Sequence, residues 1–354
     1  MNIRFRKRTY VSPLRRILTP VVSVLAAMVF CGVFLALLGH DPLAVYAKMA
    51  RTVGSRSGVT RSIQAGIPLM LTGLAVSFGY RMNLNNIGAD GQYALGALFC
   101  AGFALYGPVM PPVFKIICMF LMAMLGGAAA ALIAAVPKAR WDVNETILTM
   151  MLNYVFLYAM DYLMSGPWKE PGQMVAQTKT IKEKYWLPNL GSSGINSVLL
   201  IVIALAVVMF FFHTRTVWGY RMEVIRHSPR AAQYAGMNVP VCTLLVLCAS
   251  GAVAGLAGFA QVAGIIHRVQ ANLPNGAGYT GIVIAFLAGL NPLAVPLVGF
   301  LFGALQISAV AVQLTGVPSQ VATMIQGSIM LFVVAGEFFI RYEPVRTGAA
   351  KKEE

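Results

Sequence analysis

The sequence predicts an all-α fold: a polytopic transmembrane helical bundle of about ten spans, with two inverted blocks and broken helices. Three observations lead there. Of 354 residues, 58% are hydrophobic and 11% charged, against about 45–50% and about 25% in a soluble globular domain. Charged residues are absent from Ile17 to His40, from Tyr185 to Thr214 and from Val269 to Gly336. A span takes about 20 apolar residues, so the last run alone holds several. These runs are long and do not alternate, which argues against a β-barrel and leaves helices to satisfy the backbone in lipid.

The basic start, RFRKRTYVSPLRR, precedes an apolar run to Leu38. That run is too long for the core of a signal peptide and is followed by no small-residue cleavage site, so residues 18–38 read as a retained first span. Residues 40–62 carry Lys48, Arg51, Arg56 and Arg61 and read as an interfacial helix on the outer surface. Further spans follow at 63–80, 92–109, 112–135, 146–165, 195–213, 240–262, 279–291, 293–314 and 319–340. The segment 279–291 is too short to cross a bilayer unaided. Residues 1–345 form one transmembrane domain in this reading, with an outer loop at 166–194, an inner loop at 214–239 and a disordered cytoplasmic tail at 346–354. With the N-terminus inside, more than half of the 27 lysines and arginines fall on inner segments, which favours N-in and C-in. The net charge of +15 then reflects basic cytoplasmic loops rather than nucleic-acid binding.

Enzyme classes find little support. His40, His213, His227 and His267 are scattered, so no metal ligands share a helix face. The chain has no G-x-x-x-x-G-K-[ST] loop for ATP phosphates and no G-x-S-x-G elbow. The five cysteines lie in apolar runs and read as packing residues. No catalytic residue, metal ligand or directly bound cofactor is expected. Ion-driven secondary transport lacks the buried acid–base pairs it would use.

The informative polar residues interrupt the spans. NLNNIGADGQ, residues 83–92, contains Asn83, Asn85, Asn86, Asp90 and Gln92. Its core, NIGADGQY, is echoed by NGAGY at 275–279, before the short span and in a block of opposite direction. Inverted blocks with glycine-interrupted spans point to a transport site near the midplane. Asp90 is either the N-cap of the span that follows or a substrate contact. A second cluster, DVNETILTMMLNY at 142–154, holds Asn144, Glu145 and Asn153, as interhelical glue or as substrate lining. In the inner loop, Ser228–Pro229 reads as a helix start and Gly236 as its stop.

At these places the chain resembles the permease subunits of ABC importers of the simple-sugar and nucleoside family, relatives of the branched-chain amino acid and ribose permeases. It is most similar to the general nucleoside importer permeases. The resemblance rests on MNLNNIGADGQYALGA, VNETILTMMLNY, GYRMEVIRHSPRAAQYAGMNV and YTGIVIAFLAGLNPLAVPLVGFLFGAL, in that order. Asp90 stands where the family usually has glutamate, and Leu84-Asn85 departs from the usual phenylalanine before Asn86. The resemblance implies a transport subunit rather than an enzyme, in the cytoplasmic membrane of a prokaryote. It would pair with a second, different permease chain, two cytoplasmic ATPases that carry the ATP, and an extracytoplasmic substrate-binding protein. Substrate would pass Asn83, Asn85, Asn86, Asp90, Gln92, Asn144, Glu145, Asn153, Asn272 and Asn275. The loop 214–239 would couple to the ATPases through Gly219, Arg221, Glu223, Arg226, Pro229, Ala231, Tyr234 and Gly236. A nucleoside is the expected cargo, with a simple sugar such as ribose as the alternative.

Overall fold

The structure, a computed structural model, describes residues 3–7, 12–191, 194–313 and 319–346. Apart from Arg346, the expected tail 346–354 lies outside the described residues. In chain order come β1 (Ile3–Lys7), α1 (Pro13–Leu37), α2 (Pro42–Gly54), α3 (Arg56–Tyr80), α4 (Ala89–Tyr106), α5 (Pro112–Trp141) and α6 (Glu145–Ser165). After the outer loop follow α7 (Val198–Arg215), α8 (Val217–His227), α9 (Pro229–Tyr234) and α10 (Val239–Phe259). The chain closes with α11 (Ala277–Leu287), α12 (Val295–Gln313), α13 (Ser319–Arg341) and β2 (Tyr342–Arg346). Six of the helices that can be assessed are long and apolar enough to cross a membrane.

Two compact units emerge, one of residues 56–304 and one of residues 1–55 with 305–354. In the second, α1 and α13 pack together, with Phe30 and Phe332 rings 5.7 Å apart. β1 and β2 pair antiparallel, Ile3 with Arg346 through Lys7 with Tyr342, so the two ends of the chain lie side by side. The Tyr46 hydroxyl ties α2 to α1 by donating to Met28 O at 2.6 Å. The segment 40–62 is not one interfacial helix. Asp41 caps α2, accepting from Leu43 N at 2.9 Å, and the helix stops at Gly54–Ser55. Arg56 to Arg61 instead form the first turns of α3.

The larger unit is built around α3 and α10. Most of α3 is buried, including Pro68 within it. Apolar side chains gain nothing by associating in lipid, so close backbone approach must hold such helices together. The run GAVAGLAG of α10 supplies it. A Cβ on Gly251 would strike Ala131 Cβ, one on Gly255 would strike Ala123 O, and one on Gly258 would strike Ala97 N. Gly127 of α5 faces Gly251 O in the same way. α4, α5 and α10 therefore meet backbone to backbone. Asn238 caps α10 by accepting from Val241 N at 3.2 Å. After Phe259 the helix widens into a π-turn, Ala260–Ile265, a distortion often found at functional sites.

The loop between α6 and α7 is hydrogen-bonded to that π-turn and to the segment after it. Thr178 N donates to Val269 O, Ile181 N to His267 O and Leu187 N to Ala263 O. Trp186 stacks on His267 with ring centroids 3.8 Å apart. Beneath it, Lys115 is 1% exposed. Its ammonium donates to Pro108 O at 3.0 Å and faces the rings of Phe103 and Tyr185 at 4.6 and 5.5 Å, a cation–π arrangement in place of an acid partner.

Gly255→Val should lower the stability of the detergent-solubilised protein by about 1–3 kcal/mol or more, because the added methyls meet backbone that cannot yield. Gly54→Ala, where nothing lies within 4 Å, should change it by less than about 0.5 kcal/mol. Thermal unfolding followed by intrinsic fluorescence checks both; equal midpoints would refute the packing account.

Candidate functional site

The two polar interruptions meet inside the larger unit. α3 ends at Tyr80, the chain turns through Asn83 at φ +58°, and α4 begins at Ala89. α11 begins at Ala277 after Asn272, Asn275 and Gly276, all at positive φ. The carboxylate of Asp90 accepts from Gly278 N at 2.5 Å. Gly278 is required there, since a Cβ would meet Asp90 N and Ala89 C. Thr72 of α3 completes the junction by donating to Ala277 O at 2.9 Å.

Asp90 does not cap its own helix. The N-cap of α4 is Gly88, without a side-chain cap, and Asp90 sits in the first turn. Two N–H groups at that helix start are met from elsewhere. Asn86 Oδ1 accepts from Gly88 N at 3.1 Å, and Asn153 Oδ1 from Gly91 N at 2.8 Å. Asp90 is thereby released to serve the N-terminus of α11, where a carboxylate is favoured by the helix dipole.

The ten residues expected along the pathway separate into three groups. Asn86, Asp90, Gln92 and Asn153 are buried and each is hydrogen-bonded. Asn86 and Gln92 pair amide to amide at 2.8 and 2.9 Å, and Asn86 also donates to Ser250 Oγ. Asn153 Nδ2 donates to Ile87 O at 2.8 Å and to the Tyr279 hydroxyl at 3.2 Å. These side chains hold the broken segment in shape. The second group lies at the α5–α6 turn. Asn83, Asn85 and Glu145 line a cavity of about 560 Å³ with Lys138, Asp142 and Arg226. Lys138 bridges Glu145 at 3.1 Å and Asp142 at 2.7 Å, and holds the exposed Asp142 carboxyl below its usual range. Asn144 is exposed and caps α6, accepting from Thr146 N and Ile147 N. The third group is the turn before α11, where Asn272 donates to Asn275 at 3.5 Å.

The inner loop folds as two helices rather than one, α8 and α9, joined at Ser228. Ser228 caps α9 by accepting from Ala231 N, Pro229 opens it, and Gly236 at φ +78° follows it. Glu223 of α8 gathers Arg81 at 3.4 Å, Arg226 at 3.6 Å and His227 at 3.1 Å. Arg221 lies over the Trp218 ring at 5.4 Å, and Tyr234 is exposed. A Cβ on Gly219 would collide with His213 O, so this glycine seats α8 against the end of α7. Sequence reasoning missed Arg81, Lys138, Thr72, Ser250 and Tyr279. Tyr279 was legible as the last letter of NGAGY; a single Thr or Ser in an apolar helix carries no such signal.

Residues 58–334 match the family described as the branched-chain amino acid transport system permease component. The chain belongs to this permease family. It is 34% identical to the glucose ABC transporter permease protein of Haloferax volcanii, over 92% of this chain and 88% of that one. It is 26% identical to the nucleoside ABC transporter permease protein of Lactococcus lactis subsp. cremoris, over 96% of each. It is 27% identical to the guanosine ABC transporter permease protein of Bacillus subtilis, over 94% of this chain and 97% of that one. The chain is therefore a multi-pass membrane permease of the ABC sugar and nucleoside import family, found in prokaryotes. Inside its larger unit two broken segments are joined through Asp90 and Gly278.

In this permease, Asp90→Asn keeps an acceptor for Gly278 N and loses the charge at the helix start, at a cost of about 0.3–1 kcal/mol. Asp90→Ala leaves the buried N–H without a partner and should cost about 1–3 kcal/mol. Unfolding midpoints of the two variants should rank in that order; an equal loss would show that charge, not the hydrogen bond, holds the junction.

Proposed function

We propose that the chain is the pore-forming subunit of an ATP-driven importer that carries nucleosides by alternating access across the cytoplasmic membrane. It would act with a second permease chain, a pair of cytoplasmic ATPases and an extracytoplasmic binding protein, and would bind no cofactor itself. The observation that carries this reading is the Asp90–Gly278 junction. Two broken segments meet there, inside the bundle, through a carboxylate spent on backbone rather than on a cation. Such a site suits a neutral polar solute, which small-molecule sites hold by a few placed polar groups among apolar ones. The acids with basic partners, Asp142, Glu145 and Glu223, lie at the α5–α6 turn and in α8 instead. An ion-coupled carrier would need such pairs along the path.

The α8–α9 elbow is the element assigned to ATPase coupling, with loop 214–239 cytoplasmic. A simple sugar is the second reading, favoured by the 34% identity to a glucose permease. Co-reconstitution with an ABC ATPase, a second permease and a binding protein from the same source, followed by uptake of labelled nucleosides and of glucose, tests both. Uptake by this chain alone without ATP would overturn the importer reading.

The Arg81–Glu223 pair is about one-third exposed on each side, so its removal should cost stability less than about 1 kcal/mol. Arg81→Gln and Glu223→Gln should each reduce substrate moved per ATP hydrolysed. The double variant should be no worse than either alone, since both remove one link. Additive losses would mean that the two residues act separately.

A further inference from the structure

Resting on the importer reading, we infer that one face of α6, marked by Tyr154, Tyr158 and Tyr162 with Asp161 among them, lines the water-filled part of the path. It would stack the flat or ring face of a neutral solute, a nucleobase or a sugar ring. The three tyrosines recur every four residues and share a helix face. They are 54%, 69% and 71% exposed. Tyr154 lies near the middle of this 21-residue helix, at the depth where a lipid-facing phenol would have no hydrogen-bond partner. Tyrosines that face lipid gather at the membrane interfaces instead. The exposed faces of α5 and α7 carry Ile117, Leu121, Leu125, Ile203 and Val208 at comparable positions, whereas on α6 the tyrosines follow Ile147 and Met151 along the exposed surface.

A second observation joins this face to the broken segments. Asp161, two turns beyond Tyr154, accepts from Asn272 N at 3.4 Å. Lower on the same helix, Asn153 meets the Tyr279 hydroxyl at 3.2 Å. The chain from Asn272 to Tyr279 thus runs beside α6 from its outer turns to its middle. The tyrosine face adjoins the polar junction rather than turning away from it. A charged Asp161 on this face is tolerable where water reaches it and costly against lipid. Tyrosine offers an apolar ring for stacking and a hydroxyl for the solute's polar edge.

The test uses the assembled complex with the five native cysteines replaced. Tyr154→Cys, Tyr158→Cys and, on the lipid-type face, Leu121→Cys are treated with a charged, membrane-impermeant thiol reagent and with an apolar maleimide. The charged reagent should modify the two α6 positions at least an order of magnitude faster than Leu121→Cys, because the reactive thiolate forms only in water. Adenosine or glucose supplied with loaded binding protein and ATP should slow that reaction. Modification of the α6 positions by the maleimide alone would place the face in lipid and overturn the proposal. Cross-linking to the second permease with no reaction in any state would make it a subunit interface and overturn it equally. As a separate readout, Tyr158→Phe should keep the KM for uptake, while Tyr158→Leu raises it in a complex that still assembles; equal KM values would exclude stacking. If aqueous labelling persists but neither solute is taken up, the importer reading fails and the wet face stands.

Discussion

A helix that starts inside a membrane protein presents free N–H groups with no water to receive them. Everything distinctive in this fold depends on how α11 solves that problem. Its first turn is met by the carboxylate of Asp90 and its entry carbonyl by the hydroxyl of Thr72. Backbone that is irregular at membrane depth persists only when buried in protein or lining a cavity. Asp90 thus serves the backbone of another helix. Its own helix does not need it, because Asn86 and Asn153, borrowed from outside α4, serve Gly88 and Gly91.

That exchange of partners requires helices to approach far more closely than side chains normally allow. Gly278 lies against the backbone of Ala89 and Asp90, and Gly281 against Thr72. On the far side of α4, Gly96 faces Gly255, and Gly255 in turn faces Ala123 of α5. The small residues and the polar ones are two halves of one arrangement. Without the glycines the carboxylate would not reach its N–H, and without the carboxylate the close approach would bury an unpaired donor.

The sequence displayed the spans well, because long uncharged runs have few alternative fates. The starts of α5 and α13 fall where hydropathy placed them. The broken segments were legible too, from their glycines and asparagines and from the echo at 275–279. The partner of Asp90 was not, since 188 residues separate it from Gly278, and a lone sequence offers no signal for a hydrogen bond to backbone at that range. The same limit hid Ser250, which joins Asn86 to Ala75 O. In the inner loop, Ser228–Pro229 and Gly236 marked α9 correctly, whereas α8 lacked an equally clear start. Its cap, Thr216 accepting from Gly219 N, sits directly after α7.

The placement of charge follows from the same constraint. Around the two broken segments, Asn86, Asp90, Gln92 and Asn153 are paired with backbone or with other side chains, and a fixed ion pair there would add desolvation cost that few contacts recover. Away from these segments, charged side chains pair across elements and link them. Glu223 on α8 holds Arg81, immediately after α3. Four residues further, Asn85 N donates to Glu145 of α6, itself held by Lys138 of α5. The turn from Arg81 to Asn85 is thus pinned at both ends by charged groups on other helices. It leads directly into Asn86 and the junction. A rigid shift of α8 must either break the first of these links or carry the turn with it. A contiguous chain of contacts of this kind is what energetic coupling between distant sites travels through, and here its ionic part stops one residue short of the buried amides.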